Sequence, residues 1–204
     1  MLKRIVYIIF ITVLNSFTVK AQQSNYNIAE LLSQLQNSKE GTARINVLLH
    51  LSEYYFFKVP VNNKRFFDSA LFYESAAEKL SRSLNDKKGI ADSYEQLSKI
   101  LHAQGNAVKG RQFADKAIKI YKDNNYYLGL GYAYYDVSGY YSINTDYELK
   151  ERIRIVEELA LPAFQKSGSR LKEADVLKEL GDLLQIAGEY TKALEVLHHS
   201  MQLY

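Results

Sequence analysis

The sequence predicts an all-α protein in which about four helical hairpins stack one after another behind a short export signal. Three observations predict it. Proline occurs only twice in 204 residues, so long helices can run uninterrupted. Large apolar residues recur at steps of three and four, which places them along one face of a helix. A small residue beside that face also returns at a constant distance from a second small residue, as a repeated unit requires.

The first element is the signal. Met1-Leu2-Lys3-Arg4 sets two positive charges ahead of an apolar run at 5–14, and Val19-Lys20-Ala21 supplies an apolar and a small residue at −3 and −1. This pattern predicts a cleavable signal peptide over 1–21. A spanning helix needs about 20 apolar residues, roughly twice this run. An uncleaved signal anchor is the alternative. Cysteine is absent, which excludes disulfides, thiol chemistry and a lipoprotein anchor. The formal charge of +3 resides in the signal, because Lys3, Arg4 and Lys20 account for the excess of 26 basic over 23 acidic residues. The remainder is formally neutral, which argues against nucleic acid as a partner. The two adjacent basic pairs, Lys64-Arg65 and Lys87-Lys88, are expected in solvated loops.

Residues 22–40 are expected to hold a short capping helix. Ile28, Leu31, Leu32 and Leu35 fall at helical spacing behind Asn27, a good N-cap residue.

The repeated units follow over 41–204. Their first helices align as Ile45-Asn-Val-Leu-Leu-His-Leu-Ser, Ala91-Asp-Ser-Tyr-Glu-Gln-Leu-Ser, Gly131-Tyr-Ala-Tyr-Tyr-Asp-Val-Ser and Ala174-Asp-Val-Leu-Lys-Glu-Leu-Gly. One large column reads Leu48, Tyr94, Tyr134, Leu177, the next Leu51, Leu97, Val137, Leu180, and a third Tyr55, Leu101, Tyr141, Leu184. The small column reads Ser52, Ser98, Ser138, Gly181, and its counterpart in the second helices Ala77, Ala117, Ala160, Ser200. From Ala77 to Ser98, from Ala117 to Ser138 and from Ala160 to Gly181 the distance is 21 residues each time. Within a unit it varies between 19 and 25. The extra residues are therefore expected in the turns, at 59–63 and around Asn144-Thr145-Asp146. The units run over about 41–86, 87–125, 126–168 and 169–204.

These columns resemble the tetratricopeptide repeat (TPR), in a longer variety of about 40 residues. The last unit carries the resemblance best, with Leu177, Leu180-Gly181, Leu184, Gly188-Glu189-Tyr190, Ala193, Leu197 and Ser200. The second keeps Tyr94, Leu97, Gly105 and Ala117 but has Gly110 where alanine is usual, and the first and third are degenerate. The resemblance implies a right-handed α-solenoid whose first helices line a concave groove. By that register Asn46, Glu53, Asp92, Gln96, Lys99, Tyr132, Tyr135, Asp136, Asp175, Lys178 and Asp182 should face a protein or peptide ligand. Their mixed charge is unlike a basic clamp for a carboxylate. Tyrosine suits such a surface, offering a large contact area with a polar tip. Stacking between hairpins is the competing role for the crowded tyrosines of 126–141. The last helix ends in Met201-Gln202-Leu203-Tyr204 with no polar cap after it, so a partner, self-association or further chain is expected there.

The residues that catalysis would need are not brought together by sequence. No His-Glu-x-x-His occurs, and His198 and His199 diverge by roughly 100° on a helix. Gly129-Leu130-Gly131 lacks a third glycine or a following lysine and reads as a junction between units. No metal and no cofactor is expected, and the protein is read as not an enzyme. Export followed by long TPR-like units resembles the N-terminal sensor region of bacterial membrane histidine kinases and related regulators. That resemblance implies a sensing or interaction module facing the periplasm, with its output domain beyond Tyr204. The alternatives are a free periplasmic scaffold complete at Tyr204 and a hydrolase using His50 or His102 in the groove.

Overall fold

The computed structural model describes residues 27–58 and 64–204; the signal at 1–21 and the turn at 59–63 lie outside the described residues. The protein is all-helical, with no strand among the described residues. Helix α1 (Ile28–Asn37) begins at Asn27, whose side chain accepts from the Ala29 N–H at 3.0 Å. Its buried Leu31 packs against Val47 and Leu51 of α2 (Thr42–Phe57). Then come α3 (Lys64–Ser83), α4 (Lys87–Ala103), α5 (Ala107–Asp123) and α6 (Tyr127–Ser138). Helix α7 (Asp146–Ile155) passes through a π-helical turn (Val156–Ala160) into α8 (Leu161–Ser167). The chain ends in α9 (Arg170–Ala187) and α10 (Tyr190–Leu203).

Capping and turn chemistry fix where each helix starts and stops. Asp86 accepts from the Gly89 N–H, Asn106 from that of Lys109, and Thr145 from that of Glu148, each satisfying an otherwise unpaired donor of the first turn. Gly105 and Gly188 take positive φ of 81° and 82° in the turns after α4 and α9, a conformation that costs glycine nothing. Asn85 and Asn125 hold the corresponding place between units, as asparagine tolerates. Lys87 opens α4 and Lys64 opens α3, so both basic pairs begin helices instead of lying in loops.

All eight residues of the two small columns are buried. The reason is visible in the hairpins. Ser52 Oγ donates to the Ala70 carbonyl at 2.8 Å and Ser98 Oγ to the Gly110 carbonyl at 2.7 Å. The helices touch at these points. A Cβ added to Gly110 would stand 3.0 Å from the Ser98 carbonyl oxygen, which explains glycine where the resembling family has alanine. In the last hairpin Ser200 Oγ donates to the Ala174 carbonyl at 2.8 Å.

The third hairpin departs from the expectation that extra residues collect in the turn. Helix α6 stops at Ser138 itself, whereas α4 continues to Ala103, past the equivalent Ser98. Part of the extra length lies in the following helix, where the Leu161 N–H bonds the Val156 carbonyl five residues back. Such a turn inserts one residue into an α-helix.

Each element packs on its neighbours in the chain. Helices α2, α4 and α6 also meet in succession. The α9 backbone instead approaches α7, the π turn and α8 but not α6, whose Tyr132, Tyr134 and Tyr135 join the same core through their side chains.

Candidate binding cavity

Helices α2, α4 and α6 line an open cavity of about 370 Å³, within the range of small-ligand sites. Asn46, Leu49, His50 and Glu53 come from α2. Lys88, Asp92, Glu95, Gln96 and Lys99 come from α4, spread over about three turns. Leu128, Gly129 and Tyr132 come from the start of α6, and Tyr121 reaches in from α5.

A connected polar network forms one wall. The Lys99 ammonium lies 3.1 Å from Glu95 and 2.9 Å from Asp136. Lys88 pairs with Asp92 at 2.7 Å. The Tyr121 hydroxyl stands 2.7 Å from Asp92 Oδ1 and 2.8 Å from Glu95 Oε2. A hydroxyl has one hydrogen to donate, so the second carboxylate completes its contact fully only when protonated. Burial pushes the Asp92 carboxyl above its ordinary range, against the pull of Lys88. Burial likewise raises Glu95, with Lys99 opposing. Burial works against the Lys99 charge, yet Asp136 and Glu95 hold its ammonium well above the usual value. Tyr121 is raised well above its own by burial and by both carboxylates.

Two glycines let this wall assemble. A Cβ on Gly129 would lie 2.5 Å from the Tyr121 ring, and one on Gly131 would lie 2.8 Å from the Phe164 ring. Tyr121 and Phe164 occupy equivalent places, four residues after Ala117 and Ala160. The Gly129-Leu130-Gly131 junction therefore seats two successive aromatic rings.

Six of the eleven residues expected in the groove line the cavity: Asn46, Glu53, Asp92, Gln96, Lys99 and Tyr132. Asp136 joins through its ion pair with Lys99. Tyr135 packs instead against the core of the last two units. Asp175, Lys178 and Asp182 are exposed on α9 and do not line the cavity. Helix α9 meets α6 through side chains, Lys172 Nζ lying 5.8 Å from the centre of the Tyr132 ring, and not through close backbone approach. Asp175 is occupied by the Tyr204 hydroxyl at 2.6 Å and by Lys172 at 3.0 Å. The histidines separate as well. His50 lines the cavity, and burial lowers its pKa against the opposing effect of Glu53. His102 stacks on Tyr140 at 3.9 Å and 6°.

Sequence reasoning missed Glu95 and Tyr121 as groove residues. Glu95 stands one turn before Lys99, a helical pair visible as Glu-x-x-x-Lys. Tyr121 had no local signal, since its partners lie 26 and 29 residues away. Comparison of the chain with protein-family models and with curated proteins finds no match in either.

Proposed function

We propose that this chain is a non-catalytic protein- or peptide-binding module of the TPR type, acting outside the cytoplasm as the sensing or interaction region of a signal-transduction protein. The hairpins stack as a right-handed solenoid, and the concave side formed by successive first helices is the binding face. One observation supports this most: side chains of three consecutive first helices converge on one cavity, among them six chosen by repeat register alone. Export rests on the signal pattern at 1–21. Among the described residues no helix is long and apolar enough to cross a membrane.

Panning displayed random peptides on the full chain tests the binding face. Enriched peptides are expected to lose about tenfold or more in affinity on Tyr132→Ala, a loss typical of a binding hot spot, with circular dichroism unchanged. Peptides that bind Tyr132→Ala and Gln96→Ala as tightly as the parent would sink the reading. For export, the N-terminal sequence of protein recovered outside the cytoplasm is expected to begin at Gln22.

A second reading, a free scaffold that self-associates through its last helix, is favoured by α10. Tyr190, Leu194 and Met201 are each about two-thirds exposed at helical spacing. Concentration-dependent sedimentation abolished by Leu194→Lys would select it.

A further inference from the structure

The cavity has a chemical preference that the binding reading leaves open. Its walls carry the carboxylates Glu53, Asp92 and Glu95, with Asp136 directly behind Lys99. Against these four stand two ammonium groups, and both are engaged: Lys88 by Asp92, Lys99 by Glu95 and Asp136. The lining residues are formally acidic by one charge and Asp136 adds a second, while Lys172 at the Tyr132 ring is cancelled by its partner Asp175. An anionic ligand would have to draw Lys99 away from two carboxylates. A cation would neutralise the surplus.

The amide of Gln96 gives an independent indication. Gln96 is 6% exposed and lines the cavity, and its Nε2 has no hydrogen-bond partner among the described residues. A buried donor left unpaired costs about 1–3 kcal/mol. An acceptor brought into the cavity would recover that cost. Leu49, Leu128 and the Tyr132 ring supply apolar wall beside the carboxylates, as the methylene stem of a long basic side chain requires. The described residues contain no group of three or more side chains set to hold a metal ion, so an organic cation fits the geometry better than a bare divalent one.

We propose that the cavity selects a lysine or arginine side chain of a bound peptide, its cation among Glu53, Asp92 and Glu95 and a main-chain carbonyl of the same peptide accepting from Gln96 Nε2. This rests on the peptide-binding reading above and specifies the residue that the site takes.

The probes are four N-acetylated, C-amidated tripeptides with lysine, arginine, glutamine or glutamate between two alanines. Each is titrated into the ¹⁵N-labelled full chain while the Gln96 side-chain amide resonance is followed. The lysine and arginine peptides are expected to shift it, with an apparent affinity about tenfold or more above the other two, falling as salt is raised. Glu53→Gln, which lies outside the Tyr121 network, should remove most of that preference, and Gln96→Met should weaken both basic peptides alike. Equal binding of all four peptides overturns cation selection while leaving a peptide groove in place. If none moves Gln96 although panning yields peptides that depend on Tyr132, the groove reading survives and this cavity is not its selective pocket. If panning also fails, the two readings fall together.

Discussion

Glu74 is 3% exposed on α3, and its Oε1 has no hydrogen-bond partner among the described residues. Burial, reinforced by Glu78 one turn on, pushes its carboxyl from the ordinary 4.5 to about 8. Between those values the folded protein keeps a proton that the unfolded chain has released. Stability therefore falls as pH rises through that window and levels off above it, by an amount on the order of 4 kcal/mol. Glu74→Gln removes the charge but leaves a buried amide. It should be no more stable than the parent near about pH 5 and clearly more stable near about pH 8, read from urea midpoints at both. The glycines at helix contacts separate by what faces them. Gly129→Ala gains at most about 1 kcal/mol of helix propensity, whereas forcing a methyl into the Tyr121 ring costs about 1–3 kcal/mol. Tyr121 is held by Asp92 and Glu95 and cannot swing aside without losing both, so a lower melting temperature is expected. At Gly181 the added atom meets the flexible end of half-buried Leu197. Gly181→Ala should be nearly neutral, and only a larger residue such as leucine should force α9 and α10 apart.

At the scale of elements, the hairpins were legible because burial follows the small columns throughout and the large columns in part, Tyr55, Tyr94, Leu97, Leu101, Tyr134 and Tyr141 being only half-buried. Ser52, Ala77, Ala117, Val137, Ala160 and Leu180 were readable from spacing, and each is buried. The helix start at Asn27 and the turn around Thr145 were readable too, because capping and turn chemistry are local. The cavity was half legible. Register placed Gln96 and Tyr132, but it also placed Asp175, Lys178 and Asp182, which spacing alone cannot distinguish. What separates them is that the α9 backbone does not come close to α6 as α4 does to α2 and α6 to α4, a tertiary fact with no periodic trace. The π turn was illegible for a different reason: one added residue looks the same in sequence whether it sits in a loop or a helix. It carries its own prediction. Deleting exposed Glu158 should convert the turn to ordinary α-helix and keep Ile153 and Phe164 on their present faces, costing less than about 2 kcal/mol. Deleting exposed Lys116 from regular α5 instead rotates Gly110 and Ala114 by about 100° relative to Ala117 and Tyr121. That variant should fail to give a cooperative denaturant transition.

For the molecule as a whole, the pattern of contacts matters more than any one of them. Helices meet those next to them or next but one in the chain, and none reaches from one end to the other among the described elements. Contacts this local favour rapid folding and allow parts of the structure to open separately. Amide exchange should accordingly differ between hairpins, with slowest exchange in α4–α6, where the Tyr121 network ties three helices, and fastest in α10, whose backbone approaches α9 alone among the described helices. The same locality has a mechanical meaning. Held by its two ends and stretched in an optical trap, the protein has no clasp among the described helices, first to last, that would make it resist as a unit. It should lengthen in several small steps, one hairpin at a time, and take them up again when slack returns. Placed between a membrane and a partner, such a chain would behave as a spring and not as a rod.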